Sequence, residues 1–121
     1  MKIERFEDIK AWQEARRLAN LIYEFTKRPS FSKDFGLRDQ IQRAAVSVMA
    51  NIAEGFERKS RKEFRNFLSV ALASCSEVKS HLYVALDQRY IEQGDFDLAY
   101  ATCDQTSKLI FGFMKYLETA D

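Results

Sequence analysis

Five cations, Arg58, Lys59, Arg61, Lys62 and Arg65, crowd one short stretch of the chain. Guanidinium and ammonium groups at that density suit phosphate oxygens, through charge and through N–H donation. Arg16, Arg17 and Arg43 lie on the two preceding helical segments and extend the candidate nucleic-acid surface. Phe56 and Phe64 flank the cluster, but their spacing suits core packing better than base stacking.

Catalytic constellations are missing. His81 is the single histidine, so a di-iron site with two Glu-x-x-His repeats cannot be built within one chain. On a helix it falls about seven-tenths of a turn from Cys75, off that residue's face, which disfavours a Cys–His dyad. There are no clustered metal ligands, no glycine-rich phosphate loop and no G-x-S-x-G elbow. The expectation is no catalytic residue, no metal, no cofactor and no enzymatic activity. Cys75 and Cys103 both fall on helical core positions and read as reduced, buried thiols.

The 121 residues, 46% hydrophobic, suffice for one domain with a real core. No apolar run approaches the roughly 20 residues of a membrane span, and the charged N-terminus lacks a signal-peptide core. A cytoplasmic protein without a membrane partner is expected. Net charge is +1, unevenly spread: residues 1–65 carry 15 Lys+Arg against 10 Asp+Glu, and residues 66–121 carry 4 against 8. The asymmetry sets a basic first half against an acidic second half, a pattern that could drive one copy against another.

A turn must hold the cluster. Gly55 sits where a helix would stop, in a left-handed cap that glycine adopts without strain. Ser60 followed by Glu63 is a capping box that opens the next helix. Asn51 and Glu54 share a helix face, either as a polar site at the bundle end or with Glu54 pairing to Arg58. The charges oppose the helix dipoles: Glu54 lies at a C-terminus, and Arg61, Lys62 and Arg65 at an N-terminus, a mismatch of about 0.3–1 kcal/mol each. In an up-down bundle this turn shares its pole with the termini. There, Lys2, Arg5, Lys10, Lys115 and the five turn cations meet Glu4, Glu7, Asp8, Glu54, Glu57, Glu63, Glu118 and Asp121. The pole is near neutral and only a local patch is basic.

One proline, four glycines and no alternating polar–apolar runs predict an all-α protein. Helices are expected at about 7–27, 36–54, 61–90 and 96–118. The first carries Ile9, Trp12, Ala15, Ala19, Ile22 and Phe25 inward, followed by a loop from Pro29 to about Asp34. The second uses Leu37, Ile41, Ala44, Ala45, Val48 and Ile52, and has no charge from Ala44 to Ala53. The third has the seam Phe64, Leu68, Ala71, Cys75, Val78, Leu82, Ala85, alternating by four and three. Gly94 and Asp95 mark a turn and cap before the fourth, which buries Ala99, Cys103, Thr106, Ile110, Phe113 and Leu117. Short connections make this an antiparallel up-down-up-down four-helix bundle.

The back of the third helix is unusual. Only Glu77 and Lys79 are charged between Asn66 and Leu86, and the outward face carries Ser69, Val70, Ala73, Glu77, Ser80 and Val84. A monomer's outer face should be charged, whereas small, weakly polar residues let another helix approach. The face predicts self-association.

The run Arg43-Ala44-Ala45-Val46-Ser47, then Asn51-Ile52-Ala53-Glu54-Gly55-Phe56, Arg58, Ser60, Glu63-Phe64 and Phe67-Leu68 resembles a known family. These are the four-helix-bundle proteins encoded within intervening sequences of bacterial 23S ribosomal RNA genes, also labelled S23 ribosomal proteins. The opening Phe6-Glu7-Asp8-Ile9, with Trp12 and Ala15, is similar to that family's start. The resemblance implies a bundle assembled into a homopentameric ring. It also implies kinship with the accessory variability proteins of diversity-generating retroelements, which are similar in fold and associate with nucleic acid and a reverse transcriptase. No enzymatic activity is established for the family. Val48-Met49-Ala50 stands where many relatives have a proline, which bears on any kink in the second helix. Two functions follow: a homo-oligomer that binds RNA weakly through the basic residues, or a scaffold whose oligomer docks another protein.

Overall fold

In the computed structural model, which describes residues 3–119, a 3-10 turn at Phe6–Asp8 leads into helices α1 (Lys10–Thr26), α2 (Pro29–Ser32), α3 (Phe35–Phe56), α4 (Arg61–Asp87) and α5 (Gln93–Thr119). The four long helices form an antiparallel bundle in which α1 and α4 each pack on both α3 and α5. No described residue is in a strand.

The boundaries show which local forces win. The expected first helix is broken: Ile9 is extended (φ −77°, ψ 122°) and separates the 3-10 turn from α1. Instead of a side-chain cap, the Gln13 amide donates to Glu7 O at 2.9 Å, and Phe6 packs edge-on to Trp12. Arg28 is extended because it precedes proline, which ends α1. Pro29 then opens the short helix α2 where a loop was expected, since its missing N–H costs nothing at a first helical position. Asp34 caps α3 by accepting the Leu37 N–H at 3.1 Å. Helix α3 continues without interruption through Val48-Met49-Ala50.

Helix α4 stops at Asp87, short of the expected Tyr90. The Tyr90 N–H bonds Ala85 O and the Arg89 N–H bonds Leu86 O, the two bonds of a Schellman motif. Its left-handed residue is Arg89 (φ 63°), where glycine would be unstrained. Helix α5 begins at Gln93, earlier than expected, so Gly94 lies inside it. Asp95 does cap, reaching back to accept the Glu92 N–H at 3.0 Å.

The core follows the predicted seams. Every seam residue of α4 is buried, together with Ser74. On α5 all are buried but the half-exposed Phe113, and on α1 all but Trp12, with Ala11 and Leu18 added. Buried Thr102 and Thr106 satisfy their hydroxyls on the carbonyls of Leu98 (2.8 Å) and Thr102 (2.7 Å).

Candidate functional site

Between α3 and α4 the chain turns through residues 57–60. Gly55 is the main correction to the sequence reading. It is helical, buried and lacks a positive φ, so it is no left-handed cap. A Cβ there would lie 2.8 Å from both Phe64 Cδ1 and Phe67 Cβ. Glycine is required because α4 starts against the end of α3, with no room for a methyl group. The chain reverses after Glu57 and Arg58, whose N–H groups bond Glu54 O and Gly55 O. Ser60 caps α4 as expected, its Oγ accepting the Glu63 N–H at 3.1 Å.

The cations of this turn have different surroundings. Arg58 donates to Glu54 Oε1 at 3.0 Å and lies 4.8 Å over the Phe67 ring, so it serves the turn itself. Lys59 and Lys62 are exposed and form no ion pair with the described residues. Arg61 is exposed. Arg65 stands 4.0 Å from Glu118, and its Nε finds no hydrogen-bond partner among the described residues. Lys2 and Asp121, expected at this pole, lie outside the described residues.

The remaining candidates do not join this patch into one site. Arg16 and Arg17 are exposed on α1, the first over Trp12 (5.9 Å), the second bonded to Glu14 at 3.2 Å. Arg43 lies about 16 Å of helix before Glu54. It lines a separate groove between α1 and α3.

Of the two readings open for Asn51 and Glu54, the Glu54–Arg58 pair is present, and Asn51 turns back along α3. Its amide donates to Ser47 O (2.8 Å) and Ser47 Oγ (3.0 Å), and Ser47 Oγ bonds Ser74 Oγ at 2.8 Å. These residues make a polar tie across the α3–α4 seam, with no part in a bundle-end site. The tie brings together the two uncharged stretches seen in the sequence. Val46 and Ala50 on α3 are exposed, as are Ser69, Val70, Ala73, Glu77, Ser80 and Val84 on α4. Val46 is 40%, Val70 48% and Val84 42% exposed, high values for aliphatic side chains. Val46 and Ala50 gave no separate signal in the sequence, because helix pairing decides which stretches adjoin.

The groups with chemical potential are quiet. Burial pushes the Cys103 thiol up to about 12, helped by neighbouring Cys75. Burial also raises Cys75, partly offset by a hydrogen bond with Ser107. Both are free thiols, unsuited to nucleophilic work at neutral pH. His81 is half-buried, 3.4 Å from Glu77 Oε2. Among the described residues no group of three His, Cys, Asp or Glu could hold a metal, and no helix is long and apolar enough to cross a membrane.

Fold and surface therefore define a helical bundle whose distinctive features are a basic turn and an uncharged outer face. The chain belongs to the 23S rRNA-intervening sequence protein family, whose model matches residues 7–112. It is similar to a crystal structure, at 1.70 Å resolution, of a protein of unknown function from the S23 ribosomal protein family of Bacteroides thetaiotaomicron. The two share 26% identity with a TM-score of 0.78, over 87% of this chain and 98% of the other. No curated protein matches the chain.

Proposed function

We propose that the protein is a non-enzymatic, cytoplasmic homo-oligomer that uses its basic residues to hold RNA weakly. The observation that carries self-association is the exposed, nearly uncharged outer face of α4, with Val70 and Val84 open to water. Such patches on a soluble protein mark interaction surfaces. The family resemblance implies five copies. RNA is favoured by the exposed Lys59, Arg61 and Lys62. One copy offers few groups for phosphate, and several copies displaying the same turn would add avidity.

Sedimentation equilibrium at micromolar concentration tests the assembly. The wild type should sediment as an oligomer and Val70→Glu with Ala73→Glu as a monomer; a monomeric wild type overturns the proposal. RNA binding should weaken steeply with salt. Arg61→Glu with Lys62→Glu should lower the slope of log K against log salt by at least about 1.4 for a single strand, near 0.7 for each phosphate no longer neutralised. An oligomer that binds no RNA even at low salt transfers the face to the second reading, a scaffold for another protein.

A further inference from the structure

An open groove of about 520 Å³ between α1 and α3 is lined by Tyr23, Asp39, Gln42, Arg43, Val46 and Ser47. That lies within the roughly 300–1,000 Å³ of small-molecule sites. Asp39 is ion-paired with Arg38 and Ser47 is engaged within the bundle, yet several of the groove's groups keep open capacity. Arg43 forms no ion pair or hydrogen bond with the described residues, and Tyr23 is 39% exposed. Asp39 takes one bond on Oδ1, from Arg38 Nε at 3.0 Å, and no described residue donates to its Oδ2. The Gln42 amide nitrogen donates to Thr26 Oγ1 at 2.9 Å, which leaves its carbonyl as an acceptor. Ser47 is already engaged with Ser74 and Asn51.

We propose that this groove binds an unpaired guanine nucleotide of single-stranded RNA, a reading that rests on the RNA function proposed above. Tyr23 and Val46 supply aromatic and apolar surface for the flat faces of a base. Arg43 is the cation for the adjoining phosphate. Asp39 and Gln42 contribute acceptors, so the groove selects a base that presents adjacent donors. Guanine does so with N1–H and its N2 amino group, whereas adenine and cytosine offer one amino group and uracil one N–H. The site lies away from the basic turn, so the turn supplies affinity for the strand and the groove supplies preference.

Fluorescence anisotropy with a labelled ten-residue oligouridine, and with the same strand carrying one central guanosine, tests the assignment. The guanosine strand should bind about tenfold more tightly, the lower end of what a bidentate base contact discriminates. One adenosine at that place should give no gain, and inosine, which lacks the N2 amino group, an intermediate one. Tyr23→Ala and Asp39→Asn should each bring the ratio of guanosine-strand to oligouridine affinity down to about one, and Tyr23→Phe should keep it. Equal affinity for the guanosine and uridine strands, with binding still salt-dependent, overturns the guanine site and leaves the RNA reading intact. Equal gains from adenosine and guanosine overturn the roles of Asp39 and Gln42. Failure of every strand to bind at low salt overturns both readings.

Discussion

The two ends of the bundle are held by different means. At the end that holds α2 and the α4–α5 connection, side chains distant in sequence are tied together. Arg28 donates to Asp95 Oδ2 at 2.7 Å, Tyr90 OH donates to Asp34 Oδ2 at 2.9 Å, and the Tyr90 ring stacks on the buried Phe31 at 5.2 Å. Asp34 and Asp95 each also serve a helix start, so one carboxylate fixes both a cap and a cross-tie. At the turn end the polar pairs are mostly local: Arg58 with Glu54, Ser60 with Glu63, Arg5 with Glu7. Arg65 to Glu118 is a looser long-range pair at 4.0 Å. Packing closes this end instead, with Phe64 against Phe56 and Phe113, and Gly55 beneath α4. An end closed by apolar contact leaves lysines available for a partner.

The contrast can be broken by mutation. The largest loss is expected from Phe31→Ala, which empties a fully buried aromatic site and removes the stack on Tyr90, at about 3–5 kcal/mol in denaturant unfolding. At the turn end the sharpest test is Gly55→Ala. Its Cβ meets Phe67 Cβ, which can move only with the backbone, so the clash should outweigh the roughly 1 kcal/mol of gained helix propensity and leave a net loss of about 1–3 kcal/mol. Gly112→Ala is the control. Apart from its chain neighbours and the local backbone of its own helix, nothing lies within 4 Å of its added Cβ, and thermal melting should show a gain of up to about 1 kcal/mol.

Smaller effects separate ion pairing from packing. Arg28 holds the Asp95 carboxyl below its ordinary range, and the Glu92 N–H adds to this. A depressed folded value means the contribution is full above the unfolded carboxyl value, about 3.9, and is lost as pH falls through the folded value. Asp95→Asn should therefore cost about 1 kcal/mol at pH 7 and progressively less below about pH 4. A difference that does not vary with pH would show that the carboxylate charge is irrelevant to this end. Arg58→Ala should cost least, about 0.5 kcal/mol, because its pair with Glu54 is local and exposed. A loss above about 2 kcal/mol would show the turn end to depend on its ion pair after all.

The resemblance and the helical periods made much of this legible. The α4 seam was read without error, and Ser60 and Glu63 marked a helix start that the backbone follows. The candidate sites were legible only as a composition: cations were visible, but whether they gather was not. Arg43 falls into a groove of its own, Arg58 is absorbed by the turn, and Lys59 and Lys62 stay open. Gly55 was singled out for the wrong reason, since a buried glycine and a capping glycine look alike in a sequence.

By itself, the sequence determined the four helices, their inward faces and their antiparallel order, because period, caps and short connections act within a few residues of the chain. The tertiary structure decided the rest. Only it could set Ser47 against Ser74 and so merge two uncharged stretches into one face. Only it could bring Phe67 down on Gly55, or join Arg28 to Asp95 and Asp34 to Tyr90. These depend on the relative register of packed helices, which is fixed by how whole surfaces interlock and leaves no local signal in the chain.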